Sequence, residues 1–283
     1  MFLTPQQYFA ARRLSPRKRF GQHFLAQAAT AQRIVDSAHL LPDDVVVEVG
    51  PGLGALTRFL LPKVRRLHLV EIDRDLCDYL AEAIGPTQPH VTIHPLDVLE
   101  FDFRRLAEED DCRLAVIGNL PYNISSPLLF HLLESRSSIR TLVAMVQREV
   151  GMRWTAAPGS RDYGVLSVLL GVLAQARRLF DVGPRQFYPH PKVDSVVVSI
   201  QFESPWPEPH PSFEWLRSLL NAAFQKRRKT LSNGLRGFAG ADGVLLHSCF
   251  SEANIDGSRR AETLSPEEVI RLSNAMESRL RSG

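Results

Sequence analysis

Apolar residues in the first two hundred positions fall into two patterns: short continuous runs, and runs with helical spacing between them. Ala31, Ile34, Val35 and Ala38 recur at i, i+3, i+4 and i+7, which predicts an amphipathic helix. Residues 45–47 predict a strand ending at Glu48-Val49-Gly50, with a helix starting near residues 53–55 and closing before Pro62. Residues 67–70 form the next strand, ending at Glu71, and Asp73 is placed to cap a helix through Leu76 and Leu80. Residues 91–93 and 114–117 continue the series as strands. Asp97 follows the first of these, and Gly118 with Asn119-Leu120-Pro121-Tyr122 follows the second. Leu128, Leu129, Leu132 and Leu133 mark a helix, residues 141–146 a fifth strand, and residues 165–173 and 193–200 later strands. Strands that alternate with helices imply an α/β fold whose parallel sheet is covered on both faces.

The pattern changes at Pro205, Pro207, Pro209 and Pro211, an every-second-residue series that no helix or central strand tolerates. This sets two domains, residues 1–204 and 205–283, with residues 1–16 expected to be flexible. The second domain reads as helical. Phe213, Leu216, Leu220 and Phe224 form one stripe, and Ser265-Pro266-Glu267-Glu268 is a capping box ahead of Val269, Leu272 and Met276.

Composition adds little: 283 residues, 44% hydrophobic and 23% charged, describe an ordinary globular protein. No apolar run approaches the roughly 18 residues that span a bilayer, so no membrane partner is expected. The N-terminus is basic without a following apolar stretch, which argues against a secretory signal. Cys77, Cys112 and Cys249 show no metal or redox spacing and read as reduced thiols of a cytoplasmic protein. The net charge of +3 is unevenly placed. Arg12, Arg13, Arg17, Lys18 and Arg19 crowd the first twenty residues without an acid, and Lys226, Arg227, Arg228 and Lys229 form a second block. Either run alone reads as a solvated face, whereas two beside a nucleotide-type motif point to a polyanionic partner.

That motif is Glu48-Val49-Gly50-Pro51-Gly52-Leu53-Gly54-Ala55 at a strand-to-helix turn. It partly fits the dinucleotide fingerprint, and a merely structural glycine turn is the competing assignment. Glu71, at the tip of the next strand, can accept both hydroxyls of a ribose, and Asp97 can accept from the amine of an adenine. Either NAD or S-adenosylmethionine would satisfy these groups. The Asn119-Leu120-Pro121-Tyr122 turn separates them. Pro121 biases Leu120 toward extended backbone, so the turn presents acceptors in a stiff frame. The Asn119 side chain and the Leu120 carbonyl can hold both N–H groups of an exocyclic amine, and Tyr122 can stack on its ring. This is what an amino-methyltransferase requires. The sulfonium is its own electrophile, so no metal is needed.

Four segments then occur in order: Arg17-Lys18-Arg19-Phe20-Gly21-Gln22-His23-Phe24-Leu25, the run from Glu48 to Thr57, Asn119-Leu120-Pro121-Tyr122-Asn123-Ile124-Ser125, and Phe187-Tyr188-Pro189-His190-Pro191-Lys192-Val193-Asp194-Ser195. Together they resemble the bacterial small-subunit (16S) ribosomal RNA adenine N6-dimethyltransferases, over nearly the whole chain from about Arg17. The resemblance implies a Rossmann-like S-adenosylmethionine-dependent methyltransferase sheet with a small helical C-terminal domain. It implies dimethylation of two adjacent adenines in the 3′-terminal hairpin loop of small-subunit rRNA, within an immature small ribosomal subunit, by a cytoplasmic monomer active in ribosome biogenesis. By position, His23 and Leu25 would border the methionine end of the cofactor, Gly50 and Gly52 its turn, Glu71 its ribose and Asp97 its adenine. Asn119 would lie between cofactor and target, with Leu120, Tyr122 and Phe187 completing the catalytic set. Phe187 would be a second aromatic wall, and a core phenylalanine is the competing assignment. The family often carries asparagine where this chain has His23. Arg17, Lys18, Arg19, Lys226, Arg227, Arg228 and Lys229 are the candidate phosphate contacts, which set affinity and register more than sequence choice.

Three other readings compete. An assembly factor acting mainly by binding would explain the basic runs and the separate helical domain. A methylase of the macrolide-resistance type would direct the same chemistry to large-subunit rRNA. An NAD-dependent dehydrogenase rests on the glycine turn alone.

Overall fold

The computed structural model describes residues 2–13, 23–86, 88–202, 210–226 and 228–281. The chain divides into two compact units, Met1–Gly151 with Arg177–Ser204, and Met152–Ala176 with Pro205–Gly283. In chain order the first unit begins with α1 (Pro5–Arg12), β1 (Phe24–Leu25), α2 (Ala28–Asp36), β2 (Val45–Val49) and α3 (Thr57–Leu60). It continues through β3 (Arg66–Val70), α4 (Arg74–Ile84), β4 (Val91–His94), α5 (Phe103–Glu109), β5 (Leu114–Asn119), α6 (Ser125–Glu134) and β6 (Ile139–Gln147). After α7 (Arg148–Trp154) and α8 (Val165–Leu173) come β7 (Ala174–Val182), β8 (Phe187–Tyr188) and β9 (Ser195–Phe202). The chain ends in α9 (Phe213–Gln225), α10 (Leu231–Gly234), α11 (Gly243–Ala253) and α12 (Pro266–Arg281).

The main sheet has the order β4-β3-β2-β5-β6-β9-β7. The first five strands run parallel, with aliphatic runs in the central ones and a partly exposed Val-Thr-Ile-His strand, β4, at the edge. All five residues of β2 are buried, as a strand covered on both faces requires. The sheet departs from the all-parallel expectation at β9, which pairs antiparallel with β6 from Thr141 opposite Gln201 to Gln147 opposite Ser195. A separate two-stranded pair joins β1 to β8, with Phe24 opposite Tyr188 and Leu25 opposite Phe187. Because β2, β3, β4 and β5 are parallel, their C-terminal ends all open on one edge, where ligands bind in such sheets.

Two expectations about local structure fail. Of the residues expected to be flexible, 5–12 are helical, and 1 and 14–16 lie outside the described residues. Thr4 caps α1, accepting from the Gln7 amide at 3.3 Å while the Gln7 side-chain oxygen accepts from the Thr4 amide at 2.9 Å. Pro5 stands at the first turn, and Tyr8 and Phe9 are buried. Residues 165–173 form α8, not a strand. A continuous apolar run of nine residues fits either element, and here it packs helix-on-helix against α9 and α12 within the second unit. Residues 152–176 thereby group with the C-terminal helices and not with the first domain to which the sequence reading gave them. The glycine-rich stretch also stays a turn longer than expected, α3 starting only at Thr57.

The second unit confirms the helical stripes. Leu216, Leu220, Val269, Leu272 and Met276 are all buried. The capping box closes as expected, with the Ser265 amide donating to Glu268 at 2.8 Å and the Glu268 amide to Ser265 at 3.2 Å. Pro205, Pro207 and Pro209 lie outside the described residues. Among the described residues no helix is long and apolar enough to cross a membrane.

Candidate active site

A cavity of about 360 Å³ lies at the C-terminal edge of the sheet in the first unit. Its floor is the turn after β2. Gly50, Gly52 and Gly54 have φ of +61°, +56° and +78°, values that L side chains rarely adopt. Gly52 is also crowded, since an added Cβ would stand 3.2 Å from the Phe24 ring.

Glu71 crosses from the end of β3 to this turn. Its carboxylate accepts from the Gly52 amide at 3.2 Å and from the Asp73 amide at 3.0 Å. Burial pushes its pKa up to about 7 against those two donors. Further in, Glu48 is buried with the Thr57 hydroxyl donating to it at 2.7 Å, and burial raises it to about 8 against the Thr57 hydroxyl and amide. Asp73 caps α4, as expected, accepting from the Asp75 amide. Asp97 lines the cavity, and one of its oxygens caps the short turn that follows, accepting from the Leu99 amide at 2.9 Å.

Asn119 is the last residue of β5, one step earlier than a turn position. Its Nδ2 donates to the His23 carbonyl at 3.0 Å, so the oxygen branch of the amide points away from His23. The Leu120 amide donates to the Met145 carbonyl of β6 at 3.0 Å, and the Leu120 side chain is buried. Pro121 packs toward Gly50, 3.7 Å from where a Cβ would stand. Tyr122 is half-buried, with its ring 5.5 Å from that of His23 and its hydroxyl 3.5 Å from Ser195. His23 Nδ1 donates to the Pro189 carbonyl at 2.8 Å. The β1–β8 pair therefore fastens the Asn119 corner from one side and β6 from the other.

His23, Leu25, Gly50, Gly52, Glu71, Asp97, Asn119, Leu120 and Tyr122 thus line one cavity. Phe187 does not join them. It is 2% exposed, faces Leu25 across the β1–β8 pair and belongs to the apolar core, because strand alternation turns it inward. Lys226, Arg228 and Lys229 are exposed in the second unit. Arg17, Lys18, Arg19 and Arg227 lie outside the described residues. Among the described residues no group of histidine, cysteine and acidic side chains is placed to hold a metal ion. The sequence reading missed Phe2, Leu3, Thr4 and Pro5, which line the cavity, and Arg58, which brings a guanidinium to it. The Thr4-Pro5-Gln6-Gln7 capping signature was the available sign of ordered chain there.

Comparison with known proteins agrees with this geometry. The sequence profile of the family described as Ribosomal RNA adenine dimethylase matches residues 13–278. A protein of Laribacter hongkongensis named Ribosomal RNA small subunit methyltransferase A is 47% identical over 92% of this chain and 95% of its own length. A protein of the same name from Alcanivorax borkumensis is 44% identical over 91% and 89%. Among solved structures, a dimethyladenosine transferase from Plasmodium falciparum superposes with a TM-score of 0.77 at 22% identity, over 88% of this chain and 96% of that one. The 23S rRNA methyltransferase ErmE superposes with a TM-score of 0.68 at 26% identity, over 90% and 99%. A fold, a cavity and a profile match over nearly the whole length agree: the chain belongs to the ribosomal RNA adenine dimethylase family.

Proposed function

We propose that this protein uses S-adenosylmethionine to dimethylate N6 of two adjacent adenines in the 3′-terminal hairpin loop of small-subunit rRNA. The residues present fit the cofactor. The cavity has the size of a ligand site, its walls mix apolar and polar groups, and three features suit a nucleoside: the Glu71 carboxylate for a ribose, Asp97 for an adenine amine and the glycine turn for close approach. Bound there, the cofactor supplies an electrophilic methyl group.

The protein's own work is alignment. An exocyclic amine is a weak nucleophile, because its lone pair is shared with the ring. For the first methyl the Asn119 oxygen and the Leu120 carbonyl accept the two N–H groups, and for the second one of them accepts the N–H that remains; both times they turn the lone pair toward the methyl donor and stabilise the positive charge developing on nitrogen, which is discharged as a proton leaves to water. Tyr122 stacks on the base once it has left its own stack. Holding both reactants in register removes much of the entropic barrier. Phe187 contributes from behind, by packing against Leu25.

The observation that carries the reading is the Asn119 Nδ2 bond to the His23 carbonyl, which commits the nitrogen of the amide and turns its acceptor branch away. The small-subunit target is supported by the names of relatives at 40–47% identity, against 26% for the 23S rRNA enzyme. Action on an immature subunit, as a cytoplasmic monomer, belongs to the same proposal. Replacing Asn119 by Ala should lower methyl transfer to undermethylated small subunits by about 10²–10³-fold. Cofactor affinity should stay nearly unchanged. Full incorporation by that variant, measured by mass spectrometry of the rRNA, refutes the assignment. A binding-only assembly role is separated by asking whether the same variant restores subunit maturation in a deletion strain.

A further inference from the structure

Given that the cavity takes S-adenosylmethionine, we infer that Phe2–Pro5 is a structural part of that site: a strap, anchored by α1, that walls the cofactor in and sets how slowly it leaves. The family match begins at residue 13, so the whole segment lies ahead of the shared sequence.

Four independent contacts hold it. The Thr4–Gln7 capping box fixes the start of α1. The inner face of α1 sets Tyr8 edge-on to Tyr79 of α4 at 4.9 Å and Phe9 against Phe24 at 5.5 Å, and Phe24 itself lines the cavity. Arg12 pairs with Glu82 of α4 at 2.7 Å and lies over the rings of Tyr8 and Tyr79. The Leu3 amide donates to the Tyr79 hydroxyl at 2.6 Å. From that anchor the chain crosses to the glycine turn, where the Phe2 ring lies against Gly54 so closely that a Cβ there would stand 2.3 Å from it.

The strap therefore runs from α4 to the floor of the cavity, and the cavity persists beneath it with Phe2, Leu3, Thr4 and Pro5 in its wall. An apolar ring already in place excludes water and costs no ordering when the ligand arrives. Its loss should appear mainly as faster dissociation.

The test uses the full chain with its tag at the C-terminus. Calorimetry and stopped-flow displacement measure S-adenosylmethionine and S-adenosylhomocysteine. Phe2→Ala should raise Kd for both about tenfold, chiefly through the off-rate. Phe2→Leu, which keeps an apolar cover, should lose less. Tyr79→Phe keeps the ring packing but removes the anchor for Leu3, and should shift both constants in the same direction by a smaller factor. The cofactor-free Phe2→Ala protein should still unfold in a single cooperative transition, lowered only slightly by the lost packing of the ring on the glycine turn, which separates the strap from a general folding role. Unchanged Kd and off-rate in Phe2→Ala overturn the inference, and tighter binding overturns it by making the ring a plug. If the unaltered chain binds no S-adenosylmethionine, the reading of the cavity falls first and the strap falls with it.

Discussion

The Asn119 side chain is held by a main-chain oxygen, the His23 carbonyl, and not by the imidazole. The imidazole makes a different bond, donating from Nδ1 to the Pro189 carbonyl. A side-chain amide can donate there too. His23→Asn should therefore leave kcat within about threefold, because no acceptor on the target is lost. His23→Ala should cost more, by loosening β1 from the Pro189 segment. Glu71 makes a second residue-scale prediction. Its carboxyl, raised to about 7 by burial, must be ionised to accept two ribose hydroxyls. Cofactor affinity should thus be full above pH 7 and fall as the pH drops through 7, and Glu71→Gln should show a weaker but pH-flat Kd by calorimetry. Glu48, buried beside Glu71, is raised further, to about 8. Its folded-state pKa lies above the unfolded value, so its contribution to stability is present below about 4.5 and is lost as pH rises to 8. Denaturant midpoints between pH 5 and 9 should decline less in Glu48→Gln than in the unaltered protein.

Elements were legible where their periodicity was strong and local. The parallel strands, the α2 and α4 faces and the second capping box all follow from apolar spacing and caps, because each buries one face or both in a way the residues themselves record. Three elements were not legible. Residues 165–173 are apolar all round, so their period is silent, and only the neighbours α9 and α12 decide for a helix. β7 carries exposed Arg177 and Arg178 on the last strand of the sheet, where one side has no partner strand and hydrophobic alternation is relaxed. The antiparallel direction of β9 is set by pairing with β6, which no single segment encodes. Gly50, Glu71, Asp97 and Asn119 were legible for the same reason as the parallel strands, since they stand at or just beyond strand tips, whereas His23 and Leu25 came only from the resemblance. Phe187 was not, because a motif gives a residue but not which way its strand turns it. The α8 helix offers a test. An exposed helical glycine replaced by alanine usually gains about 1 kcal/mol. Gly171 faces Pro266 of α12 so closely that an added Cβ would stand 2.6 Å from the ring. Gly171→Ala should therefore destabilise the second unit by about 1–3 kcal/mol in equilibrium unfolding.

For the molecule as a whole, the cavity proposed as the active site belongs to the first unit and the exposed cluster of Lys226, Arg228 and Lys229 to the second. Chemistry and electrostatic attraction to a polyanion can then be altered separately. Replacing these three by alanine should weaken rRNA binding uniformly across sequences and reduce the slope of log K against log salt by up to about 3, while the affinity for the small cofactor stays constant. An unchanged slope would remove this cluster from the RNA-binding surface.

The Leu120 amide, bonded to Met145, sews the Asn119 corner into the seam between two central strands of the sheet. Deuterium uptake at that one amide should then be as slow as in the middle of β5, since no local fraying exposes it. Warming should silence the enzyme only when the sheet itself comes apart, with no earlier stage in which the donor still docks but the corner has gone slack.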